Sequence, residues 1–373
     1  MESQSTPKII ISEHETACGK RFGQLTLNNP SSLNALDLDM AVIMSDTLKR
    51  WQTREEMLFV VIDSVGGKAF CAGGDIVSMY KAMSDQVSGT PKFIEQFFSV
   101  EYELDYLLHT YPMPVVVWGQ GIVMGGGMGI FAGGSHRVTT ETTRIAMPEI
   151  TIGLFPDVGG SYFLPRLPDN VGLFLGLTAA QLNGWEAQSL GLADFVCASD
   201  SITPLLRQWQ DARWSKDVAV QISQSLHDCC GVPTSAKNRV APWRSLINKA
   251  CNGDSIVEVA NGILAIDAGD CEWMVRAQST LAAGSPLTAN VFFKQYHIGK
   301  QLPLHACFQM ELDLACRSSV YGELQEGIRA LLIEKDKSPK WRFSAIDKVP
   351  DEVISHFFTS PWSTSAHPLA HLG

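Results

Sequence analysis

Two periods of apolar and polar residues run along the chain. Lys8 to Ile11 and Arg21 to Leu27 read as strands of a hairpin, with His14 to Gly19 as its turn. Asp37 to Trp51 carries Leu38, Val42, Met44, Leu48 and Trp51 at helical spacing, and Leu58 to Ile62 is a short, fully apolar strand. Phe93 to His109 repeats the helical period and is closed by Pro112 and Pro114. A second apolar run, Val115 to Trp118, follows. Beyond Leu167 the pattern predicts short helices, a last short strand at Phe195 to Cys197, then helices over Pro204 to Cys230, Trp243 to Leu281, Leu304 to Ala315 and Leu324 to Glu334. The loop GVPTSAKNRVAP separates the first two of these, and the end from Ser360 reads as frayed. The expected organisation is a core over residues 1–203, a helical region over 204–359 and a tail over 360–373. No fixed-period repeat or low-complexity tract interrupts it.

Glycine-bearing loops follow apolar strands. Gly125, Gly126 and Gly127 lie between an apolar run and residues able to start a helix. Glycines admit a ligand close to the backbone, and the free N–H groups of a helix start favour a negative oxygen. In KAFCAGGDI, Gly73 and Gly74 precede Asp75, which can open the helix Ile76 to Met83 and leave the Gly74 N–H pointing outward as a second donor. Downstream, Glu149 and Asp157 stand in a segment almost free of other charge, IAMPEITIGLFPDVGG, where a carboxylate needs a reason. Glu101, Glu103 and Asp105 crowd one helix, and the ordinary reading of such acids is a solvated face.

Composition narrows the function classes. The formal net charge is -10, with 45% hydrophobic and 18% charged residues, which argues against a nucleic-acid-binding surface. No apolar run is long enough to span a bilayer. MESQSTPK lacks the features of a secretory or transit leader, and nine scattered cysteines without a CxxC pair fit a reducing compartment, so a cytoplasmic location is expected. Adjacent Cys229 and Cys230 read as packing residues.

The rival chemistries fit poorly. Gly119, Gly121 and Gly125 with Glu141 imitate a dinucleotide fingerprint but leave the Gly74 loop and the two later acids unexplained. No metal-ligand spacing occurs, and His367 and His371 fall in the expected tail. No G-x-S-x-G elbow is present, and Ser161 in GGSYF is expected to cap a helix.

The segments TLNNPSSLNAL, KAFCAGGDI, GIVMGGGMG, MPEITIGLFPDVGGSYFLPRL and LQEGIRALLIEKDKSPKW resemble the crotonase (enoyl-CoA hydratase/isomerase) superfamily. PE-x-x-IGLFPDVGG-x-YFLPRL and the closing KDKSPKW narrow the resemblance to its 3-hydroxyisobutyryl-CoA hydrolase branch. It implies an α/β fold, a crotonase-like spiral of ββα turns with a C-terminal helical region. It also implies an acyl-CoA thioester hydrolase of valine catabolism. By the same resemblance the N–H groups of Gly74 and Gly126 form an oxyanion hole, Glu149 and Asp157 are the catalytic acids, and Glu101, Gly126, Glu149 and Asp157 contact the substrate. Where hydratases carry a second catalytic glutamate this chain has Gly129, and Asp157 stands where they carry a small residue. Enoyl-CoA hydration or isomerisation, and a silent acyl-CoA-binding or assembly role, remain the alternatives. No cofactor beyond the coenzyme A of the substrate, no metal, no nucleic acid and no membrane partner are expected, and homo-oligomerisation is left open. Lys335, Lys337 and Lys340 are candidates for the CoA phosphates or for plain solvation.

Overall fold

The computed structural model describes residues 6–230 and 238–373. Its strands are β1 (Ile9–Glu15), β2 (Arg21–Leu27), β3 (Met57–Ser64), β4 (Ala69–Cys71), β5 (Val115–Gly119), β6 (Ile122–Met124), β7 (His136–Thr140), β8 (Arg144–Ala146), β9 (Leu182–Asn183) and β10 (Phe195–Cys197). They form a six-stranded sheet, β1-β2-β3-β5-β7-β10, and a four-stranded sheet, β4-β6-β8-β9. The β1–β2 hairpin is antiparallel, whereas β2, β3, β5, β7 and β10 pair in parallel. Parallel pairing explains the runs VVI and VVVW, since strands covered on both faces need no polar alternation.

The chain folds as two compact units. One comprises Met1–Gly74, Leu107–Ile145 and Leu182–Lys237, and the other Asp75–Tyr106, Ala146–Gln181 and Asn238–Gly373. The chain thus passes between units several times instead of dividing once near residue 203. In the first unit an aromatic core of Phe22, Phe59, Trp118, Phe195 and Trp209 fills the space between the larger sheet and the helices Ile202–Asp211 and Val218–Cys229. Phe22 stacks on Phe59 with centroids 4.7 Å apart, and Trp209 meets Phe59 edge-on at 5.3 Å.

The second unit is helical. Its long elements are Lys92–His109, whose last three residues belong to the first unit, Pro286–Gly299 and Leu304–Tyr321. The expected helix over Trp243 to Leu281 is three helices, Arg244–Ala250, Ile256–Leu264 and Glu272–Ala283. The last residues are not frayed: Leu369 and Leu372 are buried, and Gln309 Nε2 donates to Leu369 O at 2.9 Å. Residues 231–237 of the expected loop lie outside the described residues. No helix among the described residues is long and apolar enough to cross a membrane.

Candidate active site

In the first unit, β4 and β6 run parallel, with Ala69 opposite Ile122 and Cys71 opposite Val123. Their following loops therefore leave the same edge of the sheet side by side. They approach so closely that a Cβ on Gly127 would lie 2.2 Å from Cys71 O. Only glycine fits there. Gly125 turns the chain at φ 51°, and Gly126 is the first residue of the helix Gly126–Ala132. The N–H of a first helical residue has no intrahelical acceptor. Gly74 forms a parallel bridge with Leu36, whose N–H donates to Gly73 O at 2.8 Å. In such a bridge the bonds run through the neighbours of the bridged residue, so Gly74's own N–H points off the ladder.

The second unit carries the acids. On the helix Lys92–His109, Glu101, Tyr102 and Asp105 are buried. The expected solvated face is the wrong one for Glu101 and Asp105, because four residues bring both to the same inward side of the helix. Glu149 opens a short 3-10 turn, Glu149–Ile152, behind Pro148 and is closed by Gly153 at φ 72°. Asp157 follows on a loop whose next residue, Val158, is held at φ 51°. A β-branched residue in that region costs about 1–3 kcal/mol, so the surroundings must enforce it. Gln295 on the helix Pro286–Gly299 donates to Pro156 O at 2.7 Å and Ser161 Oγ at 2.8 Å. From the helix Leu304–Tyr321, Glu311 accepts the N–H groups of Gly159 and Ser161, both at 2.8 Å. Ser161 is not the helix cap expected; Gly159 is, and the Ser161 hydroxyl serves Gln295.

Glu101, Asp105, Glu149, Asp157 and Glu311 are all at most 4% exposed, and among the described residues no ion pair neutralises any of them. Burial is the largest cause that pushes all five carboxyls up, and repulsion from neighbouring acids adds to it for Glu101, Asp105, Glu149 and, least, Glu311. Asp157 is raised to about 7 by burial, against the Tyr102 hydroxyl, which donates to its Oδ2 at 2.8 Å and favours the charged form. Glu311 is raised to about 8, chiefly by burial. Glu149 is raised by burial, then by Asp157, and Glu101 likewise. Asp105 is raised by burial and then by Glu101, Asp157 and Glu311. Among the described residues, Glu149 Oε2, Glu101 Oε1 and both Asp105 oxygens have no hydrogen-bond partner. Buried carboxyl oxygens left open in this way can take a proton from, or give a hydrogen bond to, a molecule that enters.

The acids that the sequence singles out, Glu101, Glu149 and Asp157, are thus buried in the second unit, together with Tyr102, Asp105, Gln295 and Glu311, to which it assigns no role. Helical spacing from Glu101 pointed to Asp105. Glu311, on the stripe of Cys307, Phe308, Leu312 and Ala315, was an acid at core positions. The dinucleotide rival finds no support, since Glu141 is occupied by the Ser199 N–H at 2.9 Å and by the Ser199 hydroxyl. Among the described residues no acidic, histidine or cysteine group could hold a metal ion.

The model of the enoyl-CoA hydratase/isomerase family matches residues 22–358. The chain is 35% identical to the mitochondrial 3-hydroxyisobutyryl-CoA hydrolase of Xenopus tropicalis over 339 residues, 91% of this chain and 86% of that one. It is 33% identical to the Dictyostelium discoideum enzyme of the same name, covering 95% and 92% of the two chains. Solved structures of an enoyl-CoA hydratase from Rhodobacter sphaeroides 2.4.1 and a carnitinyl-CoA dehydratase from Mycobacterium thermoresistibile superpose with TM-scores of 0.80 and 0.83. They are 29% and 30% identical and cover 95% of this chain each, and 98% and 97% of their own. The expectation of a cytoplasmic location is overturned, because these curated relatives are named as mitochondrial. The spiral α/β fold read from the glycine loops and the PDVGG segment stands, and the chain belongs to the enoyl-CoA hydratase/isomerase, or crotonase, family.

Proposed function

We propose that the chain is a thioester hydrolase that releases coenzyme A from 3-hydroxyisobutyryl-CoA, a step of valine breakdown. The observation that carries this reading is the pair of buried acids, Glu149 with an open Oε2 and Asp157 held by Tyr102. The names of the curated relatives support it. The solved structures bear hydratase and dehydratase titles, so the site itself has to decide between the two reactions. Adding water to an enoyl thioester needs a base for water and an acid for the α-carbon. The helix Gly126–Ala132, GGMGIFA, offers no titratable side chain for the second role, whereas Asp157 adds a carboxyl on the Glu149 side.

Water attack on the thioester carbonyl creates a tetrahedral oxyanion. The N–H groups of Gly74 and Gly126 are its proposed donors, each contributing a few kcal/mol (about 3–4) to the transition state. Glu149 takes the proton of the attacking water; its raised proton affinity suits a base better than a nucleophile, which must leave again as a weakly basic carboxylate. Asp157 and Glu101 bond the substrate hydroxyl. A site built around that hydroxyl discriminates strongly against an acyl group without one. Lys337, together with Arg276, lines a cavity of about 290 Å³ in the second unit and is the proposed contact for the CoA phosphates. No cofactor beyond the substrate's own coenzyme A enters this scheme.

The test is a substrate panel. Purified protein should release free thiol from 3-hydroxyisobutyryl-CoA, more slowly from 3-hydroxypropionyl-CoA, and scarcely from isobutyryl-CoA. Hydration of crotonyl-CoA outpacing thiol release would move the protein to the hydratase side of its family. Equal cleavage of isobutyryl-CoA would remove the hydroxyl-binding role of Asp157 and Glu101.

A further inference from the structure

Nothing in the proposed hydrolysis uses the cysteines of the first unit. Cys197 ends β10 with its side chain buried, and its sulfur lies 2.8 Å from that of Cys230. Two unbonded sulfurs in van der Waals contact stand farther apart than this. Both backbones are anchored. Cys197 is paired in parallel with Thr140 of β7. Cys230 follows the helix Val218–Cys229 and donates its N–H to Leu226 O at 2.9 Å and His227 O at 3.2 Å. The same helix seats Ile222 and Leu226 in the core that contains Cys197.

The two thiols are unequal. Cys230 is only partly buried, and its contact with the Cys197 sulfur, in which either thiol can donate, lowers its proton affinity against the opposing effect of burial. Cys197 is driven the other way by the same contact and by burial, and Cys229 is raised chiefly by burial. A thiolate is the form that reacts with peroxides, and a neighbouring thiol resolves the product. Cys230 is therefore the accessible nucleophile, and Cys197 is the shielded group already aimed at it.

We propose that Cys197 and Cys230 form an oxidation site, in which a hydroperoxide oxidises Cys230 and Cys197 closes an intrachain disulfide tying β10 to the end of the helix Val218–Cys229. In the first step the Cys230 thiolate attacks the distal peroxide oxygen. An S–O bond forms, the O–O bond breaks, and the departing alkoxide or hydroxide takes a proton to leave as alcohol or water. In the second the Cys197 sulfur attacks the sulfenic acid, the S–S bond forms, and water leaves with the thiol proton. The protein dithiol loses two electrons and the peroxide gains them.

The experiment treats the folded full-length protein with hydrogen peroxide, quenches it, and counts thiols after denaturation. Two of the nine should disappear, a Cys197–Cys230 crosslink should appear in the digest, and dithiothreitol should restore the count. Cys197→Ala should instead accumulate a sulfenic acid on Cys230 that a dione probe traps, and Cys230→Ser should do neither. Cys229→Ala should form the crosslink as the parent does. Survival of all nine thiols, a crosslink joining Cys230 to Cys229, or a Cys197→Ala protein with no trapped Cys230 would each overturn the proposal.

Discussion

Replacing Tyr102 by phenylalanine removes one oxygen from the buried acid cluster and nothing else. Tyr102 is fully buried on the helix Lys92–His109, and its hydroxyl donates to Asp157 Oδ2 at 2.8 Å. Of the forces on Asp157, burial raises its proton affinity, while the Tyr102 bond is the largest that lowers it. A hydrogen bond to a charged group contributes about 1.5–3 kcal/mol, and one pH unit corresponds to about 1.4 kcal/mol. The acid limb set by Asp157, near pH 7 in the parent, should therefore move up by about one to two pH units. At neutral pH the ionised fraction would fall from about one half to between about one tenth and one hundredth, so kcat/KM should drop roughly 5- to 50-fold. The assay is free-thiol release from 3-hydroxyisobutyryl-CoA followed across pH. The lost rate should return as the pH is raised, because the carboxylate is still there to be formed. A Tyr102→Phe protein whose acid limb stays in place, or whose rate is lowered by one factor at every pH, would refute the reasoning.

Glu149→Gln should keep the fold and lower turnover at least ~100-fold, the usual loss for a positioned acid–base group; a correctly folded variant hydrolysing at near-parent rate would take Glu149 out of the chemistry. The cluster also fixes the direction in which stability varies with pH. Asp157 and Glu311 are raised from 3.8 and 4.5 to about 7 and about 8, so between the unfolded and folded values the folded state holds more protons. Stability is then full below about pH 4 as far as these two groups are concerned, and it declines as pH rises through the window to about 8. The melting midpoint should fall on going from mildly acidic to mildly alkaline buffer, and Glu311→Gln should make that fall shallower. A midpoint that climbs over the same range would contradict the burial assigned to the cluster.

The larger sheet was legible because parallel strands announce themselves as short apolar runs, and Leu58 to Ile62 and Val115 to Trp118 did so. Asp75 was readable for a local reason: its carboxylate caps the following helix by accepting the Ser78 N–H at 3.0 Å. The four-stranded sheet was not readable. Its strands are two or three residues long, too short for any period to show. The helix Pro286–Gly299 escaped notice because it is buried nearly all round, so its residues carry no polar face to mark the turn of the helix. Cys229 and Cys230 pack against the aromatic core, as their sequence suggests, but no local pattern shows that the sulfur of Cys230 meets that of Cys197, 33 positions away.

The acids divide along the same line. Glu149 and Asp157 stood out because their own segment is apolar, which is local information. Asp105 stood in a helix with other acids, and only the face the helix buries distinguishes it from Glu103 beside it. Once buried, it cannot be treated apart from the others. Five carboxyls with no counter-ion cannot all be charged in a dry interior, so a proton added to one favours ionisation of its neighbours, and the cluster titrates as a set. Tyr102 breaks the symmetry. By donating to Asp157 it favours the charged form of that carboxyl, while burial raises the proton affinity of Glu101, Asp105 and Glu149 with no side-chain hydrogen bond to oppose it. The role proposed for Asp157 as hydroxyl anchor thus depends on a tyrosine that no local pattern in the sequence marks.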